Sequence, residues 1–189
     1  MGGYVAQLLA IDRPARVDSL VLVSTSADHR PYMAATMGQS TAWFSLPGPE
    51  AVLLDYIHAT LARPPRMPEE LLANRLEGWR VTYDGARPFP EAMVTKTLRR
   101  AAERCPDQIA SFQHGLAVAA SHDRLEAVKG IVAPTLVIHG RYDVCLPLAH
   151  GEYLARAIPG ARLRVLDMGH AFMWQWDDEV AEAIIAWLH

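Results

Sequence analysis

An aspartate and a histidine follow two apolar segments near the carboxyl end of the chain. Asp143 comes directly after the segment VAPTLVIHG (132–140), and His170 ends the segment ARLRVLDMGH (161–170). If both segments are parallel strands, the two side chains lie at the edge of the sheet where ligands bind. An imidazole held by a carboxylate can act as a general base, because the carboxylate fixes its tautomer and stabilises the imidazolium ion. Each residue alone is more often part of a turn or a helix cap, but the pair in this order favours catalysis.

The elements that would position this pair alternate between strand and helix. Leu20 to Val23 is an apolar run typical of a parallel strand buried on both faces, and the two segments above supply further strands, the third being the weakest. A helix between them ends at Pro159-Gly160. This order predicts an α/β fold with a parallel sheet.

Two terminal helices are predicted from their apolar spacing. In the first, MGGYVAQLLAID, Val5, Leu8 and Leu9 are expected to face the core, with Gln7 and Asp12 on the wetter side. The last begins at Asp177 or Asp178, and its expected apolar face consists of Val180, Ile184, Ile185 and Leu188.

The middle of the chain contains no convincing strand. Its periodicity predicts four helices, at 50–62, 68–80, 90–104 and 106–121. Pro68 and Pro90 lie where the first turn of a helix accepts proline. We interpret this region as a helical insertion between two strands.

Composition excludes several classes of protein. The 189 residues carry a formal net charge of -3 without a basic stripe, so we expect no nucleic-acid partner. No stretch approaches the roughly 20 apolar residues of a membrane span, and the first apolar run is a poor signal peptide. Cys105 and Cys145 form no disulfide framework. We therefore expect a soluble, cytoplasmic protein.

Three segments of the chain resemble the α/β-hydrolase superfamily. MGGYVAQLLAIDRPARVDSLVLVSTSA resembles the segment after the nucleophile in a Gly-x-Ser-Met-Gly-Gly elbow, PTLVIHGRYD resembles the acid strand and its loop, and LDMGHAFMW resembles the histidine loop. The resemblance implies an incomplete α/β-hydrolase core at 1–28 and 126–189, with a helical lid at 29–125. It implies ester cleavage by a Ser-Asp-His triad in which Asp143 and His170 are the acid and the base.

The resemblance also implies roles for the first residues of the chain. It places the nucleophile one residue before Met1, gives the Met1 backbone N–H to the oxyanion hole, and makes Gly3 a close-packing glycine on the helix. The chain as given then lacks its nucleophile, and we expect no turnover by the family mechanism.

Other reactive residues are weaker candidates. Ser40 is the centre of GQSTA, a near match to the elbow, but no apolar strand precedes it. Cys145 is more simply interpreted as a small loop residue, and His139 as structural. The remaining histidines, at 29, 58, 114, 122, 150 and 189, lack metal-ligand spacing, so we expect neither a metal nor a cofactor.

Three further segments resemble the methylesterases that act on anthracycline polyketides, namely WFSLPGP and LEGWRVTYDGARPF in the lid and HGEYLARAIPGARLRVLDMGHA in the core. The substrate implied is a small apolar ester. Flat ligands stack on large apolar side chains, and the candidates for this role are Trp43, Trp79, Phe172, Met173 and Trp174. Any one of these side chains is more simply interpreted as packing between lid and core, and the last three are the exception because they directly follow the base.

Two alternatives to an esterase fragment stay open, a non-catalytic module that binds a ligand or partner, and a decayed reading frame. Whichever function applies, the chain as given would leave the strand at 20–24 without a neighbour on one side. An exposed apolar strand edge is a template for aggregation, so we expect self-association through this edge.

Overall fold

The computed structural model describes residues 1–83, 85–105 and 110–188. Within them, three parallel strands form one sheet, with β2 in the centre: β1 (Leu20–Val23), β2 (Thr135–Gly140) and β3 (Arg162–Leu166). Val23 pairs with Ile138, and Gly140 pairs with Leu166. The three predicted strands are confirmed, and every residue of the central strand is buried.

Helices lie before, between and after these strands in the chain. The described helices are α1 (Gly2–Asp12), α2 (Arg30–Thr36), α3 (Ala51–Ala62), α4 (Pro68–Tyr83), α5 (Glu91–Arg104), α6 (Ala110–Ala119), α7 (Ala149–Ala157) and α8 (Asp177–Leu188). Helices α3, α4 and α5 confirm three of the predicted middle helices, and α6 matches the fourth except for 106–109, which lie outside the described residues. Helix α2 was not predicted. Pro68 opens α4 as expected, whereas Pro90 precedes α5 as its N-cap.

The sheet carries apolar clusters on both faces, because successive strand side chains point in opposite directions. On one face, Leu22 and Val137 pack with Leu154 and Ile158 from the α7 region. On the other face, the buried residues are Tyr83, Leu136, Ile138, Leu166, Met168, Ala171, Trp176 and Val180. None of the described helices is long and apolar enough to cross a membrane.

The predicted orientation of α1 is wrong. Val5, Leu8 and Leu9 are 59%, 41% and 46% exposed, whereas Gln7 is fully buried. Gln7 is held inside by two hydrogen bonds: its Nε2 donates to the Ser26 carbonyl over 3.0 Å, and its Oε1 accepts from Arg124 Nε over 3.1 Å. A buried amide is tolerated when its polar atoms are paired in this way.

The predicted face of α8 is only partly correct. Val180 is buried and Ile184 packs against the second cluster. Ile185 and Leu188 are 57% and 61% exposed, because they lie on the side of the helix that turns away from the sheet.

Candidate active site

The loops that carry Asp143 and His170 follow β2 and β3 and are tied together by backbone contacts. The Arg141 N–H donates to the Leu166 carbonyl over 2.8 Å, and the Tyr142 N–H donates to the Met168 carbonyl over 3.1 Å. A Cβ on Gly140 would lie 2.3 Å from the Met168 oxygen. A side chain at this position would therefore push the two loops apart.

The end of α4 holds the histidine loop from the other side. The His170 N–H donates to the Thr82 carbonyl over 2.9 Å. A Cβ on Gly169 would lie 2.3 Å from the Tyr83 carbonyl oxygen. The inserted helices thus help to fix the position of His170.

Asp143 is buried and fully engaged in hydrogen bonds. Its Oδ2 lies 2.8 Å from His170 Nδ1, and its Oδ1 accepts the N–H groups of Cys145 and Leu146 over 2.9 and 2.8 Å. Burial acts to raise the pKa of Asp143, but the hydrogen bond from His170, the electrostatic interaction with the neighbouring histidines and the Leu146 N–H outweigh it, and the net pKa is lowered. The group is therefore a carboxylate at neutral pH.

His139 supports this carboxylate from inside the protein. Its ring is fully buried, with Nε2 2.7 Å from the Leu146 carbonyl and 3.6 Å from Asp143 Oδ2. Burial lowers the pKa of His139, so a neutral ring donates Nε2–H to that carbonyl. This placement inside the scaffold fits the structural role that we predicted.

The His170 side chain is 31% exposed and stands between two cavities. Because Nδ1 donates to Asp143, Nε2 is the nitrogen available to accept a proton. The first cavity, of about 280 Å³, is lined by Met1, Tyr4, Ser24, Thr25, His29, Tyr32, Met33, Gly115, Val118, Cys145, Leu146 and His170. The second, of about 510 Å³, is lined by Tyr56, Arg75, Gly78, Trp79, Thr82, Leu98 and His170.

The five predicted substrate-binding side chains differ in whether they line a cavity, pack in the core or face solvent. Trp79 lines the second cavity, and Trp174 packs edge-on against it with ring centroids 5.5 Å apart. Phe172 and Trp174 pack against the core cluster beside β3, and Met173 is 43% exposed. Trp43 is 71% exposed beside Phe44. Of these five residues, only Trp79 appears in the described linings of the two cavities.

The candidate nucleophiles and oxyanion-hole residues lie in different parts of the structure. Met1 lines the first cavity together with His170. Gly3 is a close-packing glycine, as predicted, since a Cβ there would lie 2.4 Å from Thr25 Oγ1. Ser40 is exposed and accepts the Ala42 N–H over 3.3 Å. Cys145 lines the first cavity, but burial raises the pKa of its thiol, which makes it a poor nucleophile at neutral pH.

Sequence analysis missed the polar wall of the first cavity. Ser24, Thr25 and His29 belong to the segment STSADH, which directly follows β1. Their position after a strand was a usable signal, because the carboxyl end of β1 lies at the same sheet edge as Asp143 and His170.

The strand order, the paired loops and the acid–base pair match a known family. Residues 1–176 match the model of the alpha/beta hydrolase fold. The chain belongs to the α/β-hydrolase fold family. The described sheet and helices are consistent with part of such a core carrying a helical insertion.

Relatives of this α/β-hydrolase include two kinds of methylesterase. The chain is 28% identical over 190 residues to the rhodomycin D methylesterase of Streptomyces peucetius, covering 98% of this chain and 63% of that protein. It is 30% identical over 174 residues to the pimeloyl-[acyl-carrier protein] methyl ester esterase of Nitrosomonas europaea, covering 90% of this chain and 62% of that protein. The chain thus spans less than two thirds of the length of these relatives, and the predicted resemblance to anthracycline methylesterases is confirmed.

Solved structures agree on the fold. The 2-hydroxy-6-oxo-6-phenylhexa-2,4-dienoate hydrolase of Rhodococcus sp. strain RHA1 matches with a TM-score of 0.65 at 20% identity, covering 100% of this chain and 61% of that one. The enol-lactonase of Burkholderia xenovorans LB400 matches with a TM-score of 0.61 at 22% identity, covering 100% and 62%.

Proposed function

We propose that this chain supplies the acid and the base of a serine ester hydrolase that cleaves methyl esters of apolar aromatic acids. The observation that carries the proposal is the 2.8 Å hydrogen bond between Asp143 and His170, at the sheet edge of an α/β-hydrolase whose relatives include methylesterases. The same arrangement serves acyl transfer on several unrelated folds.

The nucleophile in this proposal is a serine that immediately precedes Met1 in the working enzyme. Met1 and His170 line one cavity, so a residue joined to the Met1 nitrogen would lie next to the base. The Met1 backbone N–H would then stabilise the oxyanion. Without that serine, the 189-residue chain is expected to be inactive by this mechanism.

Each step moves one proton through Nε2 of His170. The base takes the serine hydroxyl proton while the oxygen attacks the ester carbonyl carbon, and a tetrahedral oxyanion forms. The C–O bond to the alcohol then breaks, and His170 returns the proton so that methanol leaves. Water, deprotonated by His170, attacks the acyl-enzyme in the same way and releases the carboxylic acid. Asp143 stays ionised throughout and stabilises the imidazolium.

The substrate class rests on the relatives and on the cavity walls. The rhodomycin and pimeloyl enzymes are both named for methyl ester cleavage. The cavities beside His170 present aromatic or apolar side chains such as Trp79, Tyr32, Met33 and Val118, on which a flat acid can pack. The low cysteine content supports a cytoplasmic setting for this chemistry.

A second candidate is a binding module without catalysis. It is favoured by one observation: the two cavities beside His170, of about 280 and 510 Å³, leave room for a ligand whether or not a nucleophile is present.

The test compares three proteins on an aromatic methyl ester. They are the 189-residue chain, the same chain joined behind the amino-terminal third of the rhodomycin D methylesterase, and this extended protein with His170→Ala. We expect hydrolysis only by the extended protein, and a loss of at least about 10³-fold in kcat/KM on removing His170. A matched variant, His122→Ala, alters an exposed histidine and should keep full activity.

Equal hydrolysis with and without His170 would overturn the proposal. An extended protein that folds, as judged by circular dichroism, binds the ester and leaves it intact would favour the binding module instead.

A further inference from the structure

Ser24 occupies a strained position at the carboxyl end of β1. Its φ is 42°, the single left-handed non-glycine value among the described residues. Such a conformation costs free energy in a residue that has a Cβ, and it persists when the surroundings enforce it. Strain of this kind is concentrated at functional sites.

The Ser24 hydroxyl is buried without a partner. The residue is 8% exposed, and Oγ makes no hydrogen bond within the described part of the chain. Buried hydroxyls are normally paired, because an unpaired one loses its hydrogen bonds to water. Ser24 lines the first cavity together with His170, so its unpaired hydroxyl belongs to a residue at the wall of a space that a ligand can occupy.

His29, a second residue in the lining of the same cavity, also has a buried and unpaired polar atom. It is 4% exposed, and its Nδ1 has no hydrogen-bond partner among the residues described. Burial lowers the pKa of His29 and so does the charge of Arg124, which keeps the ring neutral. A neutral imidazole has one nitrogen that donates and one that accepts.

Three other polar side chains of this wall, those of Tyr4, Tyr32 and Cys145, are uncharged, and the amino terminus at Met1 adds a fixed positive charge nearby. Burial raises the pKa of Tyr4 to about 12, and burial also raises the pKa values of Tyr32 and Cys145. These three groups therefore keep their protons at neutral pH. No aspartate, glutamate, lysine or arginine appears in the described lining of this cavity.

We propose that Ser24 and His29 form a subsite that binds a neutral hydroxyl group carried by the acid half of the ester. The His29 ring also donates to the Ala119 backbone, which leaves Nδ1 as an acceptor, and a hydroxyl can both donate to that nitrogen and pair with the Ser24 Oγ. Ser24 and the neutral His29 ring carry no charge themselves, so a neutral hydroxyl is the group that they can pair without burying an uncompensated charge. The acid half is the relevant one, because the alcohol half of a methyl ester is a single carbon.

This inference rests on the proposed function in one respect, namely that the ligand is an ester. Its test is a binding measurement that needs no turnover. Isothermal titration calorimetry of the 189-residue chain compares esters that differ by one hydroxyl. The pairs are methyl mandelate with methyl phenylacetate, and methyl tropate with methyl hydratropate, with chromatography showing that each ester stays intact. We expect the hydroxylated ester of at least one pair to bind at least about fivefold more tightly.

Two variants test whether the preference for the hydroxylated ester depends on Ser24 and His29. Ser24→Gly removes the hydroxyl and suits the positive φ, and His29→Phe keeps a ring while removing Nδ1. Each should reduce the preference to below about twofold and leave the affinity for the deoxy ester within about twofold. Ser40→Gly, which alters an exposed serine outside both cavities, is the matched control and should keep the preference.

Several outcomes would overturn the subsite. These are equal affinity within both pairs, no binding of any of the four esters, or a preference that survives in both Ser24→Gly and His29→Phe. Failure of the extended enzyme to hydrolyse esters would overturn the proposed function while leaving the binding preference intact, so the two failures are distinguishable.

Discussion

Oδ2 of Asp143 lies 2.8 Å from Nδ1 of His170, although the two residues are 27 positions apart in the chain. Their loops meet because β2 and β3 are neighbours in the sheet and because Gly140 and Gly169 allow close backbone contact. The acid–base pair is therefore a product of strand pairing, and changes that disturb this pairing should disturb the pair.

The lowered pKa of Asp143 predicts an acid-sensitive contribution to stability. The unfolded chain binds the proton at a higher pH than the folded chain does. The stabilisation is thus complete above the ordinary aspartate pKa of about 4, and is lost as pH falls through the lower folded-state value. In Asp143→Asn, which keeps an acceptor for the Cys145 and Leu146 N–H groups, the free energy of unfolding should fall less steeply with acid.

Urea unfolding at neutral pH and at about pH 3.5 measures this difference. Identical acid dependence in wild type and Asp143→Asn would show that the carboxylate is not stabilised in the folded protein. Arg141→Gln serves as a control, since it breaks an exposed ion pair with Asp167 and should leave the acid dependence almost unchanged.

Gly169→Ala should destabilise the fold, because the new Cβ would meet the Tyr83 carbonyl oxygen, a backbone atom that cannot swing aside. We expect a loss of about 1–3 kcal/mol in the free energy of unfolding. Gly130→Ala is the matched control, since nothing lies within 4 Å of a Cβ at that position. A Gly169→Ala protein as stable as the Gly130→Ala protein would contradict the contact between α4 and the histidine loop.

Two substitutions test the orientation of α1. Gln7→Leu should lower the free energy of unfolding of the 189-residue chain by about 1–3 kcal/mol, because Arg124 Nε and the Ser26 carbonyl lose their partner. Leu8→Gln, on the exposed side, should change it by less than about 0.5 kcal/mol. Urea denaturation measures the free energy of unfolding of both variants. A larger loss in Leu8→Gln than in Gln7→Leu would support the orientation of α1 that was predicted from the sequence.

These results show which features were accessible to sequence reasoning. The strands were predicted because buried parallel strands are continuous apolar runs, and Leu20–Val23 and Thr135–Gly140 are such runs. The positions of Asp143 and His170 followed from those strands. Helix α7 was marked by its apolar residues and by the Pro159-Gly160 that follow it.

Other features depend on partners distant in the chain. Gln7 is buried because Arg124, 117 positions away, completes its hydrogen bonds, and no local pattern encodes that pairing. Phe172 and Trp174 follow the base in sequence, but they pack into the core cluster beside β3. Ser24 and His29 look like ordinary loop residues until the fold places them in one cavity with His170.

The central claim is that Asp143 orients His170 so that Nε2 is the base. Two-bond ¹H–¹⁵N correlation spectra of the 189-residue chain measure the tautomer of the neutral ring directly, without a nucleophile or a substrate. We expect wild-type His170 to carry its proton on Nδ1, and Asp143→Asn to shift the population toward the Nε2–H form. A wild-type His170 that is predominantly the Nε2–H tautomer would contradict the account, since that nitrogen could not accept a proton from any nucleophile.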